Sequence, residues 1–157
     1  MLKRFFLWLI ILLGMGTAAS AQTIRNSNNS TLATISSSGE VRNSSGSLVA
    51  RINSNGDVRD SNNHLIARLD GNTVRNSNNS AIGTIDSDGT VRNSNNSVVG
   101  RVNSDGTVRN SNNSVMGRVN PDGTVRNANN SVIGYAKGVP VKYAALYFFF
   151  NDVLTSP

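Results

Sequence analysis

The chain has no cysteine and a single histidine, His64. Without cysteine there is no disulfide framework, no thiol nucleophile, no thiolate zinc site and no lipid-anchored amino-terminal cysteine. One histidine cannot build a multi-histidine metal centre within one chain. Aromatic residues are scarce and segregated. Phe5, Phe6 and Trp8 lie near the amino terminus, the other six lie at or beyond Tyr135, and Thr23 to Gly134 has none. Sugar binding by ring stacking on that central region is therefore disfavoured.

Met1 to Ala21 has the three parts of a secretory signal peptide: Lys3-Arg4, an apolar run from Phe5 to Leu13, and Ala19-Ser20-Ala21 as an A-x-A cleavage site. The apolar run is too short to cross a hydrocarbon layer, which takes about 20 residues. Export is expected, with the mature chain starting at Gln22. Removing Lys3 and Arg4 leaves 13 basic residues against 9 acidic, a net charge of +4 rather than +6. That mild surplus is far below the dense lysine and arginine of a nucleic-acid domain, so no specific nucleic-acid partner is expected.

The middle of the chain is a tandem repeat. Ile24-Arg25, Val41-Arg42, Val58-Arg59, Val74-Arg75, Val91-Arg92, Val108-Arg109 and Val125-Arg126 recur at spacings of 17, 17, 16, 17, 17 and 17 residues. Each unit holds two β-branched runs too short for helices, such as Thr90–Asn93 and Ser97–Val102, separated by two turn signals. In the first turn, Asn93-Ser94-Asn95-Asn96-Ser97, the fourth position is always asparagine or, at Gly46, glycine. That restriction marks a left-handed residue, read here as a tight turn of the primed kind. The second, Asn103-Ser104-Asp105-Gly106 or Asn120-Pro121-Asp122-Gly123, reads as a type I turn followed by a bulge glycine.

The position of Val99 is aliphatic in every copy and that of Val102 is isoleucine, leucine or valine in six, and the position directly after Val99 is only Ala33, Ala50, Ala67, Gly83, Gly100, Gly117 or Gly134. Two core positions three apart break strict alternation and predict a β-bulge. One unit cannot stand alone, because ordering 17 residues costs roughly 25 kcal/mol and burying about four aliphatic side chains returns about 6–12. Stability must come from neighbours. The fold class expected is all-β: about seven strand–turn–strand units in a coiled meander of hairpins or a β-solenoid-like array. Equivalent arginines would stand about 4.8 Å apart in a solenoid and about 9.6 Å apart in a meander, and like-charge repulsion leans toward hairpins.

Residues 135–157 break the pattern. Pro140 suits the first position of a helix, and Val141, Ala144, Ala145 and Phe148 then share one face. The expected role is a cap on the open end of the last repeat. A strand over Tyr147 to Phe150 and a membrane or partner contact through Phe148, Phe149 and Phe150 are the alternatives.

Gly123-Thr-Val-Arg-Asn127, Val132-Ile-Gly134 and the ending Ala144-Ala-Leu-Tyr-Phe-Phe-Phe150 resemble small exported bacterial repeat proteins of unknown function. The hairpin unit also looks like that of the four-fold beta flowers, which have four petals where this chain has about seven copies. The resemblance implies packing and turns, and no activity.

The chemistry on offer is thin. A repeated arginine stripe, Arg25, Arg42, Arg59, Arg75, Arg92, Arg109 and Arg126, with Arg51, Arg68, Arg101 and Arg118 in the same or a second stripe, could bind the phosphates or carboxylates of an anionic glycan or lipid headgroup. The plainer account is solvated arginines paired with turn aspartates. Nothing in the turn grammar calls for the Val-Arg arginine, which makes it the best functional suspect. Asp86-Ser87-Asp88-Gly89 hints at calcium, but one carboxylate per turn in most copies falls short of six to eight oxygens. Asn95-Asn96-Ser97 matches a glycosylation acceptor as a by-product of the turn. His64 reads as a surface substitution. No cofactor, metal or catalytic residue is expected. The reading is an exported, non-catalytic repeat protein with a structural or interaction role, periplasmic, envelope-associated or extracellular.

Overall fold

The computed structural model describes residues 21–151. Met1 to Ser20 of the expected export segment and residues 152–157 lie outside them. The first strands are β1 (Gln22–Asn26), β2 (Thr31–Ile35), β3 (Glu40–Asn43), β4 (Leu48–Ile52), β5 (Asp57–Asp60), β6 (Leu65–Asp70) and β7 (Thr73–Asn76). They continue as β8 (Ala81–Ile85), β9 (Thr90–Asn93), β10 (Val98–Val102), β11 (Thr107–Asn110), β12 (Val115–Val119), β13 (Thr124–Asn127) and β14 (Val132–Lys137), and one helix follows, α1 (Val141–Phe149).

Every strand pairs antiparallel with its sequence neighbours, and β14 returns to β1 through Ile24 opposite Ala136 and Asn26 opposite Gly134. The fourteen strands close into a barrel, so no row of unpaired N–H and C=O groups is left along an edge. The meander is observed and the solenoid is not. In a solenoid the equivalent strands of successive units would pair parallel, whereas here each strand pairs antiparallel with its neighbours in sequence.

The inner face is made by the small and aliphatic positions. Val91 stands opposite Gly100 and Val102 opposite Val108, and Val41, Val58, Val91, Val108 and Val125 are completely buried. Each such valine contributes about 1.5–3 kcal/mol through burial. The expected bulge is present in all seven hairpins: Val98 pairs with Arg92 and Gly100 with Val91, leaving Val99 as the extra residue, and the other six hairpins skip the equivalent position. The bulge lets Val99 and Val102, three apart, both pack on the core.

The two turns differ in sequence but share one geometry. Asn29 N–H donates to the carbonyl of Asn26, and Asn26 N–H to that of Ser30; Gly123 and Asn120 make the same two bonds with Asn120 and Thr124. Each turn has one residue at positive φ, 62–68° at the asparagines and 86° at Gly123. The first turn is therefore not of the primed kind, which needs two such residues. It is a type I turn with a bulge residue, closed by Asn26 Oδ1, which accepts N–H bonds from Asn28 and Ser30.

Local geometry also explains why one turn takes asparagine and the other glycine. A β-carbon on Gly46 would meet open space, whereas one on Gly39, Gly56, Gly89 or Gly106 would fall inside the carbonyl oxygen of Ile52, Leu69, Val102 or Val119. Those glycine carbonyls themselves accept the N–H of the same residue (Ile52 to Gly39, 2.8 Å), which carries the ladder one rung into the loop.

Pro140, with φ −58°, is the residue just before α1, one position earlier than expected. The helix buries Tyr143, Ala144, Ala145 and Leu146, and Phe150 follows, 1% exposed. Burial is thus wider than the expected Val141–Phe148 face. The strand alternative for Tyr147 to Phe150 does not hold, and there is no open last repeat to cap, because β14 is covered by β1. The three phenylalanines instead press on three consecutive hairpins: Phe148 against Gly134, Phe149 against Gly117 and Phe150 against Gly100. The helix is a hub for the barrel wall.

Candidate functional site

Because Val91 and Val108 point inward, the arginine that follows each points out. Across the junction between one hairpin and the next, Arg59, Arg75, Arg109 and Arg126 stand directly opposite Arg51, Arg68, Arg101 and Arg118. At the other three junctions the partner of the Val-Arg arginine is Thr34, Thr84 or Tyr135. Like charges directly opposite destabilise a sheet, so these four pairs need compensation.

Most of it comes from carboxylates in the loops and at strand starts. Arg68 Nε donates to Asp57 at 2.6 Å and Arg59 Nη2 to the same carboxylate at 3.3 Å. Glu40 bridges Arg42 and Arg51 at 3.0 and 3.2 Å. Arg75 pairs with Asp70 and Arg92 with Asp86, at 3.3 and 3.2 Å, and Arg101 with Asp88. Arg118 Nη2 donates to the backbone carbonyl of Asp105 at 2.9 Å and reaches its carboxylate only at 4.0 Å. The Arg68 guanidinium holds Asp57 below the usual carboxylate range, and Arg42 does the same for Glu40. Asp88, Asp105 and Asp122 are lowered first by the backbone N–H of Thr90, Thr107 and Thr124.

The Val-Arg arginines turn out to have a folding role. In six hairpins Nη1 donates to the carbonyl of the left-handed residue four positions on, as from Arg109 to Asn113 and from Arg42 to Gly46, at 2.8–3.2 Å. Arg25 reaches Asn29 Oδ1 at 3.1 Å. The expectation that this arginine is surplus to the fold is corrected: it ties down the first turn. Within 4.0 Å, and among the described residues, Arg25, Arg109 and Arg126 have no carboxylate partner.

Two of the clefts among the described residues involve these arginines. One of about 280 Å³ brings Arg92, Arg101 and Arg109 together beside the exposed Val98. The other, about 670 Å³, lies between the loops at Asp86–Gly89 and Asn103–Asp105 and the start of α1 at Lys142. Asp86, Asp88 and Asp105 line it but are spread over two loops. Among the described residues no group of three or more histidine, cysteine or carboxylate side chains is placed to hold a metal ion. His64 is exposed and sits 3.3 Å from Asp60.

The model of the family described as 5-fold beta-flower protein matches residues 52–152. The chain belongs to that family. No curated protein and no solved structure matches it. The matched part of this beta flower contains the five hairpins from β5 to β14 and the helix. The hairpins β1–β2 and β3–β4 are two further petals, which makes a seven-petalled ring.

Sequence reasoning named Arg51, Arg68, Arg101 and Arg118 beside the Val-Arg arginines and missed that the two sets stand face to face at four junctions. The signal was available: Arg51 and Arg59 are each four residues from Asn55 at the centre of their loop, as Arg101 and Arg109 are from Asp105, and so meet across it. It also missed Tyr135, which takes the arginine's place on the outer face of the last petal.

Proposed function

We propose that this beta flower is exported and works without catalysis, as a structural or interaction protein at the cell envelope or outside the cell. The observation that carries the interaction reading is the outward arginine belt. Its four directly opposed pairs set like charges side by side, and at Arg109, Arg118 and Arg126 no carboxylate among the described residues lies closer than 4.0 Å to offset them. Export is supported by the sequence of Met1 to Ala21 and by the position of β1. The strand begins at Gln22, immediately after the expected cleavage site, so processing would leave the barrel whole. The reading without catalysis is supported by the placement of the polar groups: His64 is exposed, with a side-chain relative exposure of 77%, and the carboxylates Asp57 and Asp88 are engaged by guanidinium and turn N–H donors.

Strands of four to six residues are about half the length that a bilayer-crossing strand needs, and they turn arginine outward. The barrel is therefore read as a surface-contact module rather than a pore. A second reading is favoured by the same belt: a binding module for anionic glycan or lipid headgroups.

Fractionation of cells expressing the full sequence, with amino-terminal sequencing of the product, tests export. Recovery of uncleaved chain in the cytoplasm overturns it. A pull-down from envelope extract, with the seven Val-Arg arginines changed to glutamine in a parallel sample, tests the belt. Unchanged partners in a variant that circular dichroism shows to be folded would reject it as the contact surface.

A further inference from the structure

The net charge of the barrel is not spread evenly around the ring. From Glu40 to Asp105 there are seven carboxylates and seven arginines, a balance of zero. Residues 22–39 and 106–151 together hold Arg25, Arg109, Arg118, Arg126, Lys137 and Lys142 against Asp122 alone, a net +5. In the sequence these are two separate ends. In the fold they are one arc, because β14 pairs with β1 and so joins the sixth and seventh petals to the first.

The arginines with no carboxylate within 4.0 Å fall in this arc and nowhere else among the described residues, although the charge of Arg126 is felt at Asp122. Arg109, Arg126 and Arg25 sit on three successive petals, and Arg118, opposite Arg126, is 53% exposed. Tyr135 stands in the middle of the arc. Its neighbours Gly134 and Ala136 are buried, so its half-exposed ring lies on the outer face, between Thr124 on one side and Arg25 on the other, with the exposed Lys137 two residues on.

We propose that the outer face of the sixth, seventh and first petals binds an acidic polysaccharide, with Arg109, Arg126 and Arg25 pairing its carboxylate or sulfate groups and Tyr135 stacking on a sugar ring. This rests on the second of the two readings above and gives it a place and a ligand class. The guanidinium fork suits oxyanions, and an aromatic ring adds an apolar platform of the kind saccharide faces stack on. Successive petals put the arginines about 9–10 Å apart, two strand spacings. A polymer can span that distance and gain from multivalency, whereas a single headgroup cannot.

The test uses the chain purified from cells expressing the full sequence, applied at low salt to alginate, heparin, neutral dextran and phosphatidylglycerol vesicles. Retention on alginate or heparin and not on dextran is expected. The triple variant Arg25→Gln, Arg109→Gln, Arg126→Gln should lose about tenfold or more in affinity. The triple Arg42→Gln, Arg59→Gln, Arg75→Gln makes the same charge change in the balanced arc, removing the first-turn contacts there together with ion pairs to Glu40, Asp57 and Asp70, and should stay within about twofold. Tyr135→Thr, which copies Thr34 and Thr84, should lose about threefold or more. If the first triple does not fold, Arg118→Gln with Lys137→Gln removes two exposed charges outside the first turns and should weaken retention in its place. Equal losses in the two triples, retention on vesicles but not on either acidic glycan, or no retention at all would overturn the proposal. A chain that fractionates with the envelope but ignores both glycans sinks this inference and leaves export standing. A cytoplasmic chain that binds alginate through the arc does the reverse.

Discussion

The ring of Phe149 lies where a β-carbon on Gly117 would have to be, 2.6 Å from its Cζ. Phe148 on Gly134 and Phe150 on Gly100 repeat the relationship on the petals to either side. Glycine at these positions is thus a packing requirement set jointly by the helix and by the neighbouring strand's carbonyl, that of Arg126 at Gly117, Arg109 at Gly100 and Arg25 at Gly134. The first three petals carry Ala33, Ala50 and Ala67 at the same position, and Ala50 and Ala67 are completely buried.

Gly117→Ala is expected to cost about 1–3 kcal/mol by overpacking, read as a lower urea midpoint at unchanged slope. Adding Phe149→Leu should recover part of it. The remainder persists because the same β-carbon also meets the Arg126 carbonyl. Phe150→Ala removes a fully buried ring and should cost about 3–5 kcal/mol.

The loop glycines separate two effects that sequence alone merges. Gly46→Asn should change stability by less than about 0.5 kcal/mol, since the site is open and its φ of 80° is one asparagine tolerates. Gly106→Asn, at φ 86° with the Val119 carbonyl in the way of any side chain, should cost about 2 kcal/mol or more. Thermal unfolding of the two variants side by side distinguishes them.

Asp57, 3% exposed, accepts hydrogen bonds from both Arg68 and Arg59. Its pKa is lower in the folded state, chiefly through Arg68. Its contribution is therefore complete above the unfolded carboxylate value of about 3.9 and is lost as pH falls through the folded value. Asp57→Asn should be less stable at neutral pH and show a flatter acid limb in denaturation midpoints between about pH 5 and 2. An unchanged limb would mean that the pair with Arg68 adds nothing.

Closure by β1 predicts a solution property. Deleting Gln22–Asn26 uncovers β2 and β14, and two open edges invite pairing with a second copy. The shortened chain should elute as dimers or larger species in size-exclusion chromatography, against a monomer for the closed ring. A monomeric shortened chain would show that the hub helix alone suppresses edge pairing.

The local architecture was legible in the residues because its causes are local. Asparagine or glycine at the fourth position of the first turn reported positive φ, Asn120-Pro121-Asp122-Gly123 reported a type I turn with a bulge glycine, and the spacing of Val99 and Val102 reported the bulge. The turn type around Asn96 was misread as primed. A restricted residue marks one left-handed position, but only the hydrogen bonds count how many there are. Calling the Val-Arg arginine surplus failed for a related reason: its bond to the carbonyl at Asn113 or Asn130 depends on how the turn folds back.

What the sequence by itself determined is the hairpin: its two turns, its bulge and which face is apolar. The tertiary structure alone decided the rest. Hairpins of one register can coil indefinitely or close at several counts, and closure at seven joins β14 to β1 around a helix whose phenylalanines fit the glycines of three petals. That closure brings Arg25 beside Tyr135 although 110 residues separate them in the chain, and turns two mildly basic ends into one basic arc.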